Sequence, residues 1–113
     1  MSSILDDIKK LLGIYEDDDE FDKDIIIHIN SVLSILKQMG VGPKEGFYIE
    51  DSSATWDDYL GVQEDAAINS VKTFIYLKVR LLFDPPQTSA LLDSINRQLS
   101  ELEWRLYIES GGY

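Results

Sequence analysis

The chain has 113 residues, a formal net charge of −11 at pH 7 and no cysteine. This length suits a single domain over residues 1–113, and the lack of cysteine excludes disulfides, thiolate nucleophiles and cysteine metal sites. The acidity argues against a nucleic-acid binder that relies on clustered Lys and Arg. No apolar stretch approaches the roughly 20 residues of a membrane helix, and the start resembles no signal peptide. We therefore expect a protein of the cytosol with no membrane partner.

The negative charge lies mainly at the front of the chain. Residues 1–24 hold nine acidic residues against three lysines, a net of −6, whereas residues 66–113 hold five acids and five bases. Within the front part, a first helix is predicted over 4–12, with Ser2 or Ser3 as its N-cap and Gly13 at its end.

An acidic cluster follows this helix and comprises Glu16, Asp17, Asp18, Asp19, Glu20 and Asp22. Negative charge stabilises a helix N-terminus, so the cluster is typical of the entry to the next helix. A calcium loop fits poorly, because the sixth position lacks Gly and the twelfth lacks Glu, whether the count starts at Asp17 or Asp18. His28, the only histidine, has no Ser or Cys partner at a suggestive spacing. We predict no metal site here.

The longest apolar pattern predicts a central helix over 21–39. Its buried stripe consists of Ile25, Ile29, Val32, Leu36 and Met39, widened by Ile26, Leu33 and Ile35. A stripe of this width needs at least two partner helices.

An irregular arm is predicted over 41–63, after Gly40, Gly42, Pro43 and Gly46 stop the central helix. Its aromatic residues include Phe47, Tyr48 and Trp56, and a short β-arm or hairpin over 47–56 is compatible with them. Two interpretations stay open: a loop held on the core by its aromatics, or an arm that docks on a neighbouring subunit.

The third predicted helix covers 64–83 and ends before Asp84-Pro85-Pro86. The apolar face of this helix is formed by Ala67, Ile68, Val71, Phe74, Ile75, Val79 and Leu82. Tyr76 and Leu77 fall on the opposite side, which indicates a second contact surface.

The last predicted helix starts after the prolines, capped by Asp84 with Gln87 or by Thr88. Its regular stripe consists of Leu91, Leu92, Ile95, Leu99, Leu102 and Leu106. The reverse face carries Arg97, Glu101, Trp104 and Ile108, residue types typical of a protein–protein contact. The alternative is packing of this face against the arm. Residues 110–113 are predicted to form a flexible tail.

These elements predict an all-α bundle of about four helices. The sequence contains no nucleophile–base pair, and the GVG at Gly40–Gly42 follows a helix, whereas a phosphate loop follows a strand. We therefore expect neither an enzyme nor a cofactor.

Several segments in this order resemble the small head–tail connector (adaptor or head-completion) proteins of tailed bacteriophages. The resemblance is carried by Leu11-Leu12-Gly13-Ile14, the acidic run at 17–22, the helix at 25–39, Gly40-Val41-Gly42 with Trp56, Asp58 and Leu60, and the run from Tyr76 to Pro86. The arm is longer here than the link in some connectors.

The resemblance implies a virion protein that forms a ring, dodecameric on the portal vertex, and extends the DNA channel. Its partners would be further copies of itself, the portal protein, a stopper or tail protein and the packaged DNA, after synthesis in the host cytoplasm. The acidic cluster would then face the channel or portal, where like charge prevents DNA from sticking. The alternative function is an acidic protein-binding regulator or DNA-mimic inhibitor.

Overall fold

The computed structural model describes the backbone of residues 3–61 and 66–109, and the side chains in these ranges except at 66, 67 and 109. The described residues contain five helices: α1 (Ile4–Leu11), α2 (Asp22–Gln38), α3 (Trp56–Leu60), α4 (Ala66–Phe83) and α5 (Ser89–Glu109). The predicted all-α fold is confirmed. The tail at 110–113 and the start of the third predicted helix at 64–65 lie outside the described residues.

Local sequence explains where the helices begin. The Oγ of Ser3 accepts a hydrogen bond from the Asp6 amide at 3.2 Å, which makes Ser3 the N-cap of α1. Of the two caps considered for α5, Thr88 fits the structure, since its Oγ1 accepts from the Leu91 amide at 3.2 Å. Gly40 adopts a φ of +88°, so the GVG is a helix-ending turn as predicted.

The β-arm or hairpin that the sequence allowed over 47–56 is not formed. Among the described residues the only β-type pairing is one antiparallel bridge between Ser3 and Thr55, beside a hydrogen bond from the Ile4 amide to the Ala54 carbonyl at 3.0 Å. Residues 47–54 are irregular, and α3 follows at Trp56. A capping box starts this helix: Thr55 Oγ1 accepts from the Asp58 amide, and the Asp58 carboxylate accepts from the Thr55 amide.

Helix α4 has the most helical neighbours, because it packs against α1, α2 and α5. Helices α1 and α2 also contact each other, so the core lies between α1, α2 and α4, and α5 packs on α4. The buried apolar residues are Ile4, Leu5, Ile8, Ile25, Ile29, Val32, Leu33, Leu36, Ile49, Trp56, Tyr59, Val71, Phe74, Ile75, Leu77, Val79, Ile95, Leu99 and Leu106.

Three predicted core positions on α2 and α5 are exposed. Ile35 on α2 and both Leu91 and Leu92 on α5 are more than a third exposed. On α4 two positions differ from the prediction in opposite directions. Leu82, predicted to be core, is 56% exposed, whereas Leu77, predicted to lie on a second contact surface, is only 5% exposed. A helix with neighbours on two sides buries a wider arc than its most regular stripe, and that arc includes Leu77.

Candidate functional site

An exposed aromatic surface lies on α5. The indole of Trp104 is 62% exposed and stacks on Tyr107, with ring centroids 6.4 Å apart and planes inclined by 28°. Ile108 adds further exposed apolar area. We call this surface the α5 patch and define it as Arg97, Glu101, Trp104, Tyr107 and Ile108.

The helix geometry explains why the α5 patch faces outward. Ile95, Leu99 and Leu106 are buried in the interface with α4, and the stripe they form lies on the opposite side of the helix from Trp104. Packing of the patch against the arm of the same chain would have buried the indole, so that alternative does not hold. Exposed Trp beside Ile on a helix is characteristic of a contact surface.

Of the two charged residues in the α5 patch, only Glu101 forms an ion pair within the described ranges. Glu101 accepts from the Arg105 guanidinium one helical turn away in an exposed ion pair. Arg97 is exposed and forms no ion pair with any other residue in the described ranges. The patch thus combines two stacked aromatic rings with a cation that is available to a partner.

The arm is held to the body of the protein by specific bonds. Asn30 on α2 donates from Nδ2 to the Ile49 carbonyl at 3.0 Å and accepts at Oδ1 from the Ile49 amide at 2.8 Å. The Trp56 Nε1 donates to Asp7 Oδ2 at 2.8 Å, and the Lys72 ammonium lies 5.2 Å from the Trp56 ring centroid. The arm is therefore held on the core of its own chain, as the first of the two interpretations predicted.

Two of the predicted contact residues, Trp56 and Leu77, are buried in the core. Trp56 is 4% exposed and belongs to the core, and Phe47 is half-buried with its ring 5.1 Å from that of Tyr59. Leu77 is also a core residue, and Tyr76 is half-buried beside it, 3.5 Å from the Arg80 guanidinium. A core position leaves no side-chain surface for a partner.

Tyr48 is the one aromatic of the predicted arm contacts that is largely exposed, at 67%. It borders a groove of about 460 Å³ between α2 and the arm, which we call the Tyr48 groove. Its wall and floor include Leu33, Lys37, Glu45, Gly46, Phe47 and Tyr48.

The acidic cluster divides into an exposed part and an anchored part. Residues 16–20 are exposed, whereas the Asp22 carboxylate forms an ion pair with the Lys9 ammonium at 2.9 Å. The Lys9 side chain is 1% exposed, and its ammonium also donates to the Glu16 carbonyl at 3.0 Å. Lys9 therefore contacts both ends of the acidic turn, at Glu16 and at Asp22. Its long aliphatic stem is buried while its ammonium reaches these two groups.

The exposed acids border a shallow groove of about 570 Å³. Its lining consists of Asp6, Tyr15, Glu16, Asp17, Asp22 and Ser52. Within the turn, Asp18 Oδ1 accepts from the Glu20 amide at 3.2 Å, which gives the loop a local fold of its own. Nothing in the described part of the chain groups three or more His, Asp or Glu side chains as a metal would need.

The sequence alone did not reveal three of the residues that build these surfaces. Lys9, Asn30 and Asp7 act through partners far along the chain, at Asp22, Ile49 and Trp56. For α3 the sequence does contain a signal. The Thr55-x-x-Asp58 pattern is a capping box and marks the start of this helix.

Comparison with known proteins adds the family. Residues 4–112 match the family described as phage connector protein. No curated protein and no solved structure matches the chain. None of the helices in the described ranges is long and apolar enough to cross a membrane. Because the match covers nearly the whole sequence, the chain belongs to the phage connector protein family, and its general role is that of a head–tail connector, a component of the phage particle that associates with other head and tail proteins.

Proposed function

We propose that the protein assembles as a dodecameric ring on the portal vertex, extends the DNA channel and presents a surface to the stopper or tail protein. Its assembly begins in the host cytoplasm and ends in the virion. The protein acts by binding and shape, without catalysis.

The observation that carries this proposal is the exposed α5 patch on a chain of the connector family. Trp104 and Tyr107 present a large rigid apolar area at low conformational-entropy cost, the type of anchor found at the centre of stable interfaces. The proposed ring requires contacts with copies of itself and with at least one other protein, and the patch is suited to such a contact.

The second part of the proposal concerns the channel. Residues 16–20 are exposed acids, and the whole chain carries a charge of −11. A ring that turns this cluster towards DNA would repel phosphates and allow the duplex to slide. We propose the same exposed acids for the channel wall or the portal-facing rim, with Asp22 acting as their anchor through Lys9.

The rival function is an acidic regulator or DNA mimic that fills the basic groove of another protein. The exposed acids in residues 16–20 favour it. Against it, a mimic needs negative charge spread along an extended face, and residues 66–113 are electrically balanced.

Size-exclusion chromatography with light scattering tests the proposal, on the protein alone and mixed with its portal protein. We expect a ring in at least the mixture. Trp104→Glu should abolish assembly while the circular dichroism spectrum stays helical. The matched control is Gln98→Glu, which adds the same charge at another exposed position of α5. Loss of folding in Trp104→Glu would show a core role for the indole. Monomers in both settings, with tight binding to a basic nucleic-acid enzyme, would overturn the proposal.

A further inference from the structure

A closed ring of identical subunits sets a requirement on each subunit. Its interfaces are head-to-tail, so every subunit uses two different surfaces, one for each neighbour. The α5 patch is one candidate surface, centred on the Trp104 ring. The second surface has to lie elsewhere on the molecule and accept a bulky aromatic side chain.

The Tyr48 groove meets this description. Leu33 forms part of an apolar lining, Phe47 is half-buried within it, and the exposed ring of Tyr48 borders the opening. Helix α5 packs on α4, whereas the groove lies between α2 and residues 45–48, so the groove and the α5 patch belong to separate parts of the fold.

The groove is built in the free subunit. The paired hydrogen bonds between Asn30 and Ile49 fix the end of the segment that forms one wall. At Gly46 the backbone has a φ of +92°, and a Cβ there would lie 3.4 Å from Lys37 Cδ, so the lysine stem runs along the glycine. A site formed in advance loses little conformational entropy when a side chain enters it.

The charges of the two surfaces also match. Glu45 and Lys37 border the groove, and within the described ranges neither of them forms an ion pair. On the α5 patch, Arg97 is the cation without an ion-pair partner in those ranges, and Glu101 is the anion. Arg97 on the patch and Glu45 on the groove are therefore opposite charges that have no ion-pair partner within the described ranges, which suits specific pairing in one register.

We infer that Trp104 of one copy inserts into the Tyr48 groove of the next copy, with Arg97 facing Glu45 across the interface. This inference rests on the proposed ring and specifies its subunit contact. Stacking of Trp104 on Tyr48 and contact with Phe47 would cover the apolar area that each subunit exposes alone. Because the patch and the groove are different surfaces, the contact repeats around a ring and does not close as a dimer.

A mixing experiment tests this pairing, with all samples measured in the presence of the portal protein. Trp104→Glu destroys the patch but keeps the groove, and Tyr48→Glu does the reverse. Each variant alone should fail to form rings. An equal mixture should give a one-to-one dimer that grows no further, because its two remaining surfaces are both defective. The control Gln98→Glu adds the same charge at an exposed position of α5 outside both surfaces and should assemble normally.

Charge reversal tests the register. Arg97→Glu and Glu45→Arg should each weaken association about tenfold, through like charges at the interface, and the two reversals in one chain should restore it. Rings from Tyr48→Glu and Glu45→Arg like those of the wild type, with Trp104→Glu still inactive, would overturn the pairing and leave the ring in place. A dimer of Tyr48→Glu alone would indicate a symmetric patch-to-patch contact. Failure of the wild-type protein to assemble would instead overturn the proposed function.

Discussion

Asn30 holds the backbone of Ile49 by both of its polar groups. Its Nδ2 donates to the carbonyl at 3.0 Å and its Oδ1 accepts from the amide at 2.8 Å, as a neighbouring β-strand would. Ile49 is 2% exposed, so water cannot easily replace these two bonds. The Asn30 side chain thus gives both backbone groups of Ile49 the hydrogen bonds that a neighbouring strand would otherwise give.

Replacing Asn30 with Ala should lower the free energy of unfolding by about 2 kcal/mol, because a buried amide and a buried carbonyl both lose their partner. Asn30→Asp keeps the acceptor but removes the donor, and should also destabilise. Urea unfolding gives the measurement. Ser34→Ala, one turn further along α2 and exposed, is the control and should stay within about 0.5 kcal/mol of the wild type.

Gly42 and Gly13 form a matched pair for a second test. Both have a left-handed backbone, with φ of +90° and +85°, but a Cβ at Gly42 would lie 2.6 Å from Tyr59 Cε1, whereas one at Gly13 meets nothing within 4 Å. Gly13→Ala should cost about 1 kcal/mol of backbone strain. Gly42→Ala should cost clearly more, about 2–4 kcal/mol, because the Tyr59 ring must move as well. Equal losses in thermal unfolding would show that the ring yields freely.

Lys9 allows the acidic turn to be loosened without touching its acids. Lys9→Met keeps the buried stem but removes the ammonium from Asp22 and the Glu16 carbonyl. We expect a loss of about 2 kcal/mol, since the stranded carboxylate is only partly buried, and faster amide exchange over residues 16–22. Lys10→Met removes an exposed lysine and should leave both measurements unchanged. Unaltered exchange in Lys9→Met would exclude a clamping role.

The lowered pKa of Asp51, on the arm, can be measured. The Ser53 hydroxyl donates to its carboxylate at 2.5 Å and the Ser53 amide at 2.8 Å, and these bonds lower the Asp51 pKa below its ordinary 3.8. Because folding favours the charged form, the stabilisation is present above pH 3.8 and disappears as the pH falls through the lowered pKa. In Ser53→Ala the pKa, followed by NMR, should rise only part of the way, since the amide bond remains. A complete return would mean that the amide contributes nothing.

The sequence predicts most of the helices because their apolar periodicity is strong. Helices α1 and α2 lie within about one residue of their predicted ends, as expected where caps such as Ser3 and Gly40 mark them. The exchange of Leu77 and Leu82 shows the limit of periodicity. A stripe reveals that a helix is buried on one side, but the number and direction of its neighbours depend on the tertiary arrangement.

The candidate surfaces were only partly predictable for a related reason. Trp104 stands opposite a regular apolar stripe, and local spacing was enough to predict its exposure. Trp56 lies in an irregular segment, where its burial depends on Asp7 and Lys72 at distant positions. Long-range polar contacts of this kind leave no periodic trace in a single sequence, so periodicity cannot distinguish a core position from a contact surface in the arm.

Tyr59 permits a last prediction, because its burial is not matched by a hydrogen bond. The residue is 3% exposed, and its hydroxyl has no partner among the described residues. Burial raises the pKa of this phenol above its ordinary value of 10.0. Tyr59→Phe removes an unpaired polar group at little change in shape, so we expect equal or slightly higher stability at pH 7.

The pH dependence separates this explanation from simple packing. With the pKa of Tyr59 raised by folding, its contribution is complete below pH 10.0 and is lost as the pH rises towards the folded-state pKa. Tyr59→Phe should therefore lose less stability than the wild type between neutral pH and pH 11. If Tyr59→Phe were instead destabilised by more than about 1 kcal/mol at pH 7, the hydroxyl would have a bonding partner in solution.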